Sequence, residues 1–186
     1  RLEDAARLAS QLQQPYEAAY ALSYIGVSYQ YQGDSDRARQ QYEQALQLFR
    51  AAGHAPGVSM STDSLALLHL DRGELPQALR RFDEALALTS AEESPEGYAA
   101  TLTNSALALR MLGRFDEAID RLQTAVALYR RAHDRDGEPR AMQGIALTLR
   151  DAGEPGRAAV LFRETIALFE PTGLTREQGA GLVALA

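Results

Sequence analysis

The sequence predicts an all-α fold, a solenoid of antiparallel helix pairs, and three observations predict it. Gly33, Gly73, Gly113 and Gly153 recur at one fixed period with no insertion or deletion. Each glycine is followed at constant offsets by Ala38, Ala78, Ala118 and Ala158, then by Tyr42, Phe82, Leu122 and Phe162. On both sides of each glycine the apolar residues are spaced by three and four, the spacing of one helical stripe. A fixed period of this size means stacked helix pairs, each touching only its neighbours.

Taken in order, residues 1–13 carry Leu2, Ala5 and Leu8, which stand one full period before Tyr42, Ala45 and Leu48 and read as the second helix of a partial repeat. Four repeats follow at 14–53, 54–93, 94–133 and 134–173, and 174–186 reads as the first helix of another. Thr175 with Gln178 three residues on is the capping-box start of that last helix. Both ends thus fall inside a repeat, as expected of a piece of a longer array. First helices are predicted over 15–31, 56–71, 95–112 and 139–152. Each has a proline near its first turn, where a missing N–H costs nothing, and Ser94 stands as an N-cap before Pro95. Second helices are predicted over 36–51, 76–90, 116–132 and 156–169. The glycines between them suit residues that end a helix with positive φ.

The repeat positions also predict packing. Four alanines at one site mean that two helices approach too closely for a larger side chain. Ala5, Ala45, Ala85 and Ala125 form another small-residue row, from which Thr165 departs, and Leu8, Leu48, Leu88, Leu128 and Leu168 form a row of leucines on the same stripe. A lone repeat buries too few large side chains to offset the entropy of ordering it, so stacking must supply the difference.

Composition excludes several functions. Hydrophobic residues make up 46% and charged residues 24%, and no stretch approaches the roughly 18 apolar residues of a membrane span, so no membrane role is expected and the location expected is cytoplasmic. There is no cysteine, hence neither disulfide nor thiolate metal site. The net charge of −6 divides as −1, −4, +1 and −2 over the four repeats, leaving no basic face for a phosphate backbone, so nucleic acid is not an expected partner. All 19 basic residues are arginine. His54 and His133 fall in inter-repeat turns and His69 replaces an aromatic packing residue, so all three read as structural. Gly153 and Gly156 belong to a helix-pair turn rather than a phosphate loop. Acidic pairs such as Asp116-Glu117 complement helix N-termini. No nucleophile, base and acid group together, so the expectation is no enzyme, no metal and no cofactor.

Through Ile25-Gly26, Tyr29, Gly33, Ala38, Tyr42 and Ala45, the first repeat resembles the tetratricopeptide repeat. The others depart at the end of the first helix, with Ala66 and His69, Ala106 and Leu109, and Ala146 and Leu149. A forty-residue repeat is long for this family and resembles the subclass found in kinesin light chains, spindle-orientation adaptors, and bacterial signalling ATPases and transcriptional activators. The resemblance implies a right-handed superhelix whose concave groove, lined by first helices, binds peptides or partner domains. Carried over by position, the groove presents Tyr20, Ser23, Val27, Gln30 and Tyr31, then Met60, Asp63, Leu67, Leu70 and Asp71. It continues through Thr103, Leu107, Arg110 and Met111 to Arg140, Gln143, Leu147, Arg150 and Asp151. Asn104 matches an asparagine that grips ligand backbone in the long-repeat subclass; Tyr24, Ser64 and Gly144 at the equivalent positions do not.

Read from the residues alone, that set is aromatic and acidic in its first half, while Arg110, Arg140 and Arg150 gather in the second. Arginine forks suit carboxylates, so an acidic segment or a free C-terminus is the expected ligand of a scaffold within a larger regulatory protein. Reversing Arg110 and Arg150 together is then expected to abolish binding without loss of helicity. The alternative for the arginines is a solvated face in which they pair with Asp151. Alternatives for the whole are a self-associating array, a homodimer through the terminal helices with Leu107, Met111 and 179–186 as interface, or a small-molecule effector receptor.

Overall fold

The structure, a computed structural model, describes residues 15–169. Among them are eight α-helices and no strand, the all-α helix-pair architecture expected. They fall into two compact units, the first ending at Glu93 and the second beginning at Ser94. The first unit holds α1 (Pro15–Tyr31), α2 (Ser35–Ala51), α3 (Ala55–Asp71) and α4 (Leu75–Ala87). The second holds α5 (Pro95–Met111), α6 (Phe115–Ala132), α7 (Gly137–Asp151) and α8 (Pro155–Phe169). In each unit consecutive helices pack as hairpins, the second helix packs on the third, and the two first helices of the unit also touch: α1 with α3, α5 with α7.

The hairpin turns share one construction. Gly33, Gly73, Gly113 and Gly153 have φ of 77°, 72°, 73° and 86°, the region where a Cβ is costly. Each glycine N–H bonds a carbonyl three residues back, and the following residue bonds one five back, as Asp34 N does to Tyr29 O at 2.9 Å. The last orphan carbonyls of the first helix are thereby satisfied within the turn.

Behind the turns lies the small-residue core. Ala38, Ala78, Ala118 and Ala158 are wholly buried, as are Ala45, Ala85 and Ala125. Thr165 is tolerated at the last such site because its hydroxyl donates to Leu161 O at 2.7 Å. The leucine row holds less well: Leu128 is buried, but Leu88 is 39% exposed. It caps α4, which stops at Ala87 and not at Ser90 as the sequence predicts. Beyond it the chain turns through Ser90, whose hydroxyl accepts from Glu93 N at 3.3 Å. Leu8, Thr175, Gln178 and the segments 1–13 and 174–186 lie outside the described residues, as does the side chain of Leu168.

One helix start shifts by two residues, and one expected capping bond is not made. α7 begins at Gly137, ahead of Pro139, because the Asp134 carboxylate accepts from Asp136 N at 3.0 Å and Gly137 N at 2.8 Å. Ser94 holds the N-cap position of α5, but its side chain makes no capping bond; its carbonyl receives Tyr98 N at 2.8 Å.

The structure further divides the repeats into two alternating kinds. Phe49 at the end of α2 lies flat against Gly57 in α3, and Tyr129 at the end of α6 lies flat against Gly137 in α7; a Cβ on either glycine would overlap the ring. The turn before each is also matched. Gly53 and His133 both take positive φ, 66° and 56°, and the next side chains, His54 and Asp134, each accept from the N–H three residues on. The members of every one of these pairs stand two repeat lengths apart. All three histidines have structural roles: His54 caps a helix, His133 turns the chain, and His69 Nδ1 meets Glu74 Oε2 at 2.6 Å.

Candidate functional site

Each unit opens a cleft between its two first helices, and the two clefts are built from corresponding residues. In the second unit a cavity of ≈ 260 Å³ is lined from α5 by Thr103, Asn104, Ala106, Leu107 and Arg110, and from α7 by Arg140, Gln143, Gly144, Leu147 and Thr148, with Leu122 of α6 at its floor. In the first unit a cavity of ≈ 420 Å³ is lined by Val27, Gln30 and Tyr31 of α1, Ser64, Leu67 and Asp71 of α3, and Tyr42 of α2. Gly144 helps make room in the former, since a Cβ there would stand 2.8 Å from Leu122.

One tie recurs at the mouth of both clefts. Gln30 Nε2 donates to Asp71 Oδ2 at 2.7 Å, and Arg110 Nη1 donates to Asp151 Oδ2 at 2.5 Å. Donor and acceptor again correspond at twice the repeat length, each tie joining the last turns of two first helices. The chemistry differs. Asp151 also accepts from Arg150 Nε and Nη2 at 3.1 and 2.9 Å. Burial opposes its charge, yet the hydrogen bonds from Arg150 and Arg110 together outweigh that and hold its carboxyl below the usual carboxylate range. In the first unit Gln30 is itself oriented by Tyr42, whose hydroxyl donates to Gln30 Oε1 at 2.9 Å. Burial pushes the Tyr42 hydroxyl up to about 12, reinforced by Asp71, Tyr31 and Asp63.

The remaining predicted residues divide clearly. Tyr20, Val27, Tyr31, Met60, Leu107, Met111 and Arg140 are exposed, Tyr31 at 88%. Tyr20 stands edge-on to Phe49 at 5.0 Å. Asp63, Leu67, Thr103, Asn104, Gln143 and Leu147 are half-buried, and the Thr103 hydroxyl is committed to Ala99 O at 2.8 Å. Ser23 and Leu70 are corrections: both are only 8% exposed, and the Ser23 hydroxyl bonds back to Ala19 O at 3.0 Å, so neither offers a ligand anything. Six lining residues were not expected: Ala106 and Thr148 of the second cleft, and two couples that correspond between the clefts. Tyr42 and Leu122 belong to second helices, and Ser64 and Gly144 hold the asparagine position without an asparagine. Each couple is related by two repeat lengths, so comparing alternate repeats is the signal that exposes them. Among the described residues no group of three or more His, Asp or Glu could hold a metal, and no helix is long and apolar enough to cross a membrane.

The sequence pattern of the tetratricopeptide repeat matches residues 17–91 and again 97–170. The chain belongs to the tetratricopeptide repeat family. Repeats of this family form protein-interaction scaffolds, and the two matches begin two repeat lengths apart, the spacing of the paired clefts. No curated protein sequence matches the chain. Among solved structures it resembles aspartyl phosphate phosphatase F from Bacillus subtilis, with a TM-score of 0.76 at 18% identity over 94% of this chain and 49% of that one. It resembles BtubC from P. vanneervenii with a TM-score of 0.74 at 17% identity, over 94% and 73%. A chain of the APC/C hetero-tetramer Cut9-Hcn1 gives 0.73 at 22% identity, over 97% of this chain but 32% of that one. At these identities the likeness is one of fold. This tetratricopeptide repeat chain spans less than half the length of two of those three neighbours.

Proposed function

We propose that this tetratricopeptide repeat chain is a docking scaffold within a larger regulatory protein, and that the second unit's cleft receives an acidic side chain or free C-terminal carboxylate of a partner protein. The observation that carries the reading is the lining of that cleft: Arg110 and Arg140 with no carboxylate among the lining residues, beside Asn104, Gln143 and an apolar floor. A guanidinium offers a carboxylate two parallel donors, and a half-enclosed site strengthens the pair relative to open water. Cut9, a neighbour in fold, is seen assembled with Hcn1, which supports protein docking as the use of such a surface.

Arg140 is the cleaner probe of this cleft. Arg110 and Arg150 both hold Asp151, so reversing them together also strips that carboxylate of its donors. Arg140 is exposed and makes no ion pair among the described residues. Random peptides displayed with free C-termini and selected on the whole chain should be rich in Asp and Glu or depend on the terminal carboxylate. Arg140→Glu should weaken the selected peptides by about 2 kcal/mol, roughly thirtyfold. Undiminished binding to that variant would rule out the acidic-ligand cleft.

A further inference from the structure

We propose that the first unit's cleft is a receptor for an arginine side chain carried by a partner protein, a deepening that rests on the docking reading above. The argument comes from the molecule's own second unit. There the carboxylate at the cleft mouth, Asp151, is neutralised by guanidinium groups from both flanks, Arg110 and Arg150. Two repeats earlier the same carboxylate is kept as Asp71, but the two flanking cations are replaced by Gln30 and Leu70. Asp71 is exposed, accepts a neutral amide N–H from Gln30 at 2.7 Å, and has no ion-pair partner among the described residues.

Among the described residues, no neighbouring cation substitutes for the missing ones. Arg72, next in sequence, is engaged by Asp36 at 2.9 Å, and Arg37 lies over the Tyr29 ring at 5.5 Å. The cavity beside Asp71 is ≈ 420 Å³ and contains no basic lining residue, and residues 54–93 carry a net charge of −4. Rings that a planar cation prefers stand exposed on the cavity wall and further along the same helix. Tyr31 on the cavity wall is 88% exposed and Tyr24, two turns nearer the start of α1, is 62% exposed, where the second unit has Met111 and Asn104. A guanidinium stacks on such rings while its fork pairs a carboxylate, which a compact ammonium does not do as well.

The test uses the whole chain, labelled with nitrogen-15 and titrated with argininamide, lysinamide and the neutral isostere citrullinamide. Argininamide should cause saturable amide shifts within 27–31 and 64–71, with a dissociation constant about tenfold below that for citrullinamide. Asp71→Asn, which keeps an acceptor for Gln30, should bring argininamide to the citrullinamide level. Tyr31→Ala alters a solvent-exposed ring and should weaken argininamide severalfold in a chain whose other amide positions are unmoved. Equal shifts with citrullinamide, equal affinity for lysinamide, or argininamide binding unaffected by both variants would overturn the assignment. If argininamide misses this cleft while Arg140→Glu still abolishes peptide binding, the arginine receptor falls and the docking scaffold stands. If argininamide binds here but Arg140→Glu changes nothing, the acidic-ligand cleft falls and this one stands.

Discussion

Gly113 and Gly137 are both glycines at the boundary of a helix, yet they are required for different physical reasons. Gly113 has positive φ and open space around its missing Cβ, so Gly113→Ala should cost about 1 kcal/mol of backbone strain alone. Gly137 has no such φ; a Cβ there would overlap the Tyr129 ring. Gly137→Ala should therefore cost more, roughly 1 to 3 kcal/mol from overpacking, and Tyr129→Leu should recover part of it in the double variant. Paired thermal melts of the four proteins would show this, and strict additivity would refute the ring contact. The turn glycines were legible because every repeat carries one at the same place. Gly137 was not, because steric contact between residues on different helices leaves no trace in a single helical stripe.

Helices were the most legible level, since proline, glycine and three-four spacing all act within one helix. Their ends moved where a side chain reached across a turn: Asp134 drew the start of α7 back to Gly137. Ties between helices were legible only in part. Pairing of the arginines with Asp151 is one of the two readings the sequence allows, and both Arg110 and Arg150 make it; the Arg110 bond crosses from α5 to α7 and so depends on how those helices meet. That tie makes a pH prediction. The folded carboxyl of Asp151 is held below its unfolded value, so its stabilisation is complete above the ordinary carboxylate value of about 4 and is lost as pH falls through the lower folded value. Asp151→Asn should lower stability at pH 7 by about 1 kcal/mol, discounted for partial exposure, and the gap from the parent should close toward pH 2. Urea midpoints across that range measure it; a gap independent of pH would mean that the charge is not what binds the two helices.

At the scale of the whole chain, the array was legible and its division was not. Four repeats at a constant period read as four equal members, whereas the structure forms two compact units divided after Glu93. A core of the second unit is built from its own helices: Ala146, Leu149, Ala158 and Phe162 pack with Ile119, Ile145, Leu147 and Leu161, all from α6, α7 and α8. Residues 94–186 produced alone should keep their helical far-ultraviolet signal and melt cooperatively, in contrast to the single repeat 134–173, which should not fold. Loss of helicity in the longer piece would show that its stability is borrowed. Each unit also contains a glycine pressed against the face of an aromatic ring, and this has a spectroscopic consequence. The α-protons of Gly57 and Gly137 lie within the shielding cone of Phe49 and Tyr129, so both should resonate well upfield of ordinary glycines. The first unit adds Gly26 against the Tyr42 ring, so magnetic resonance has intrinsic reporters in both units, able to tell which of them loosens first when the protein is heated or when a ligand is added.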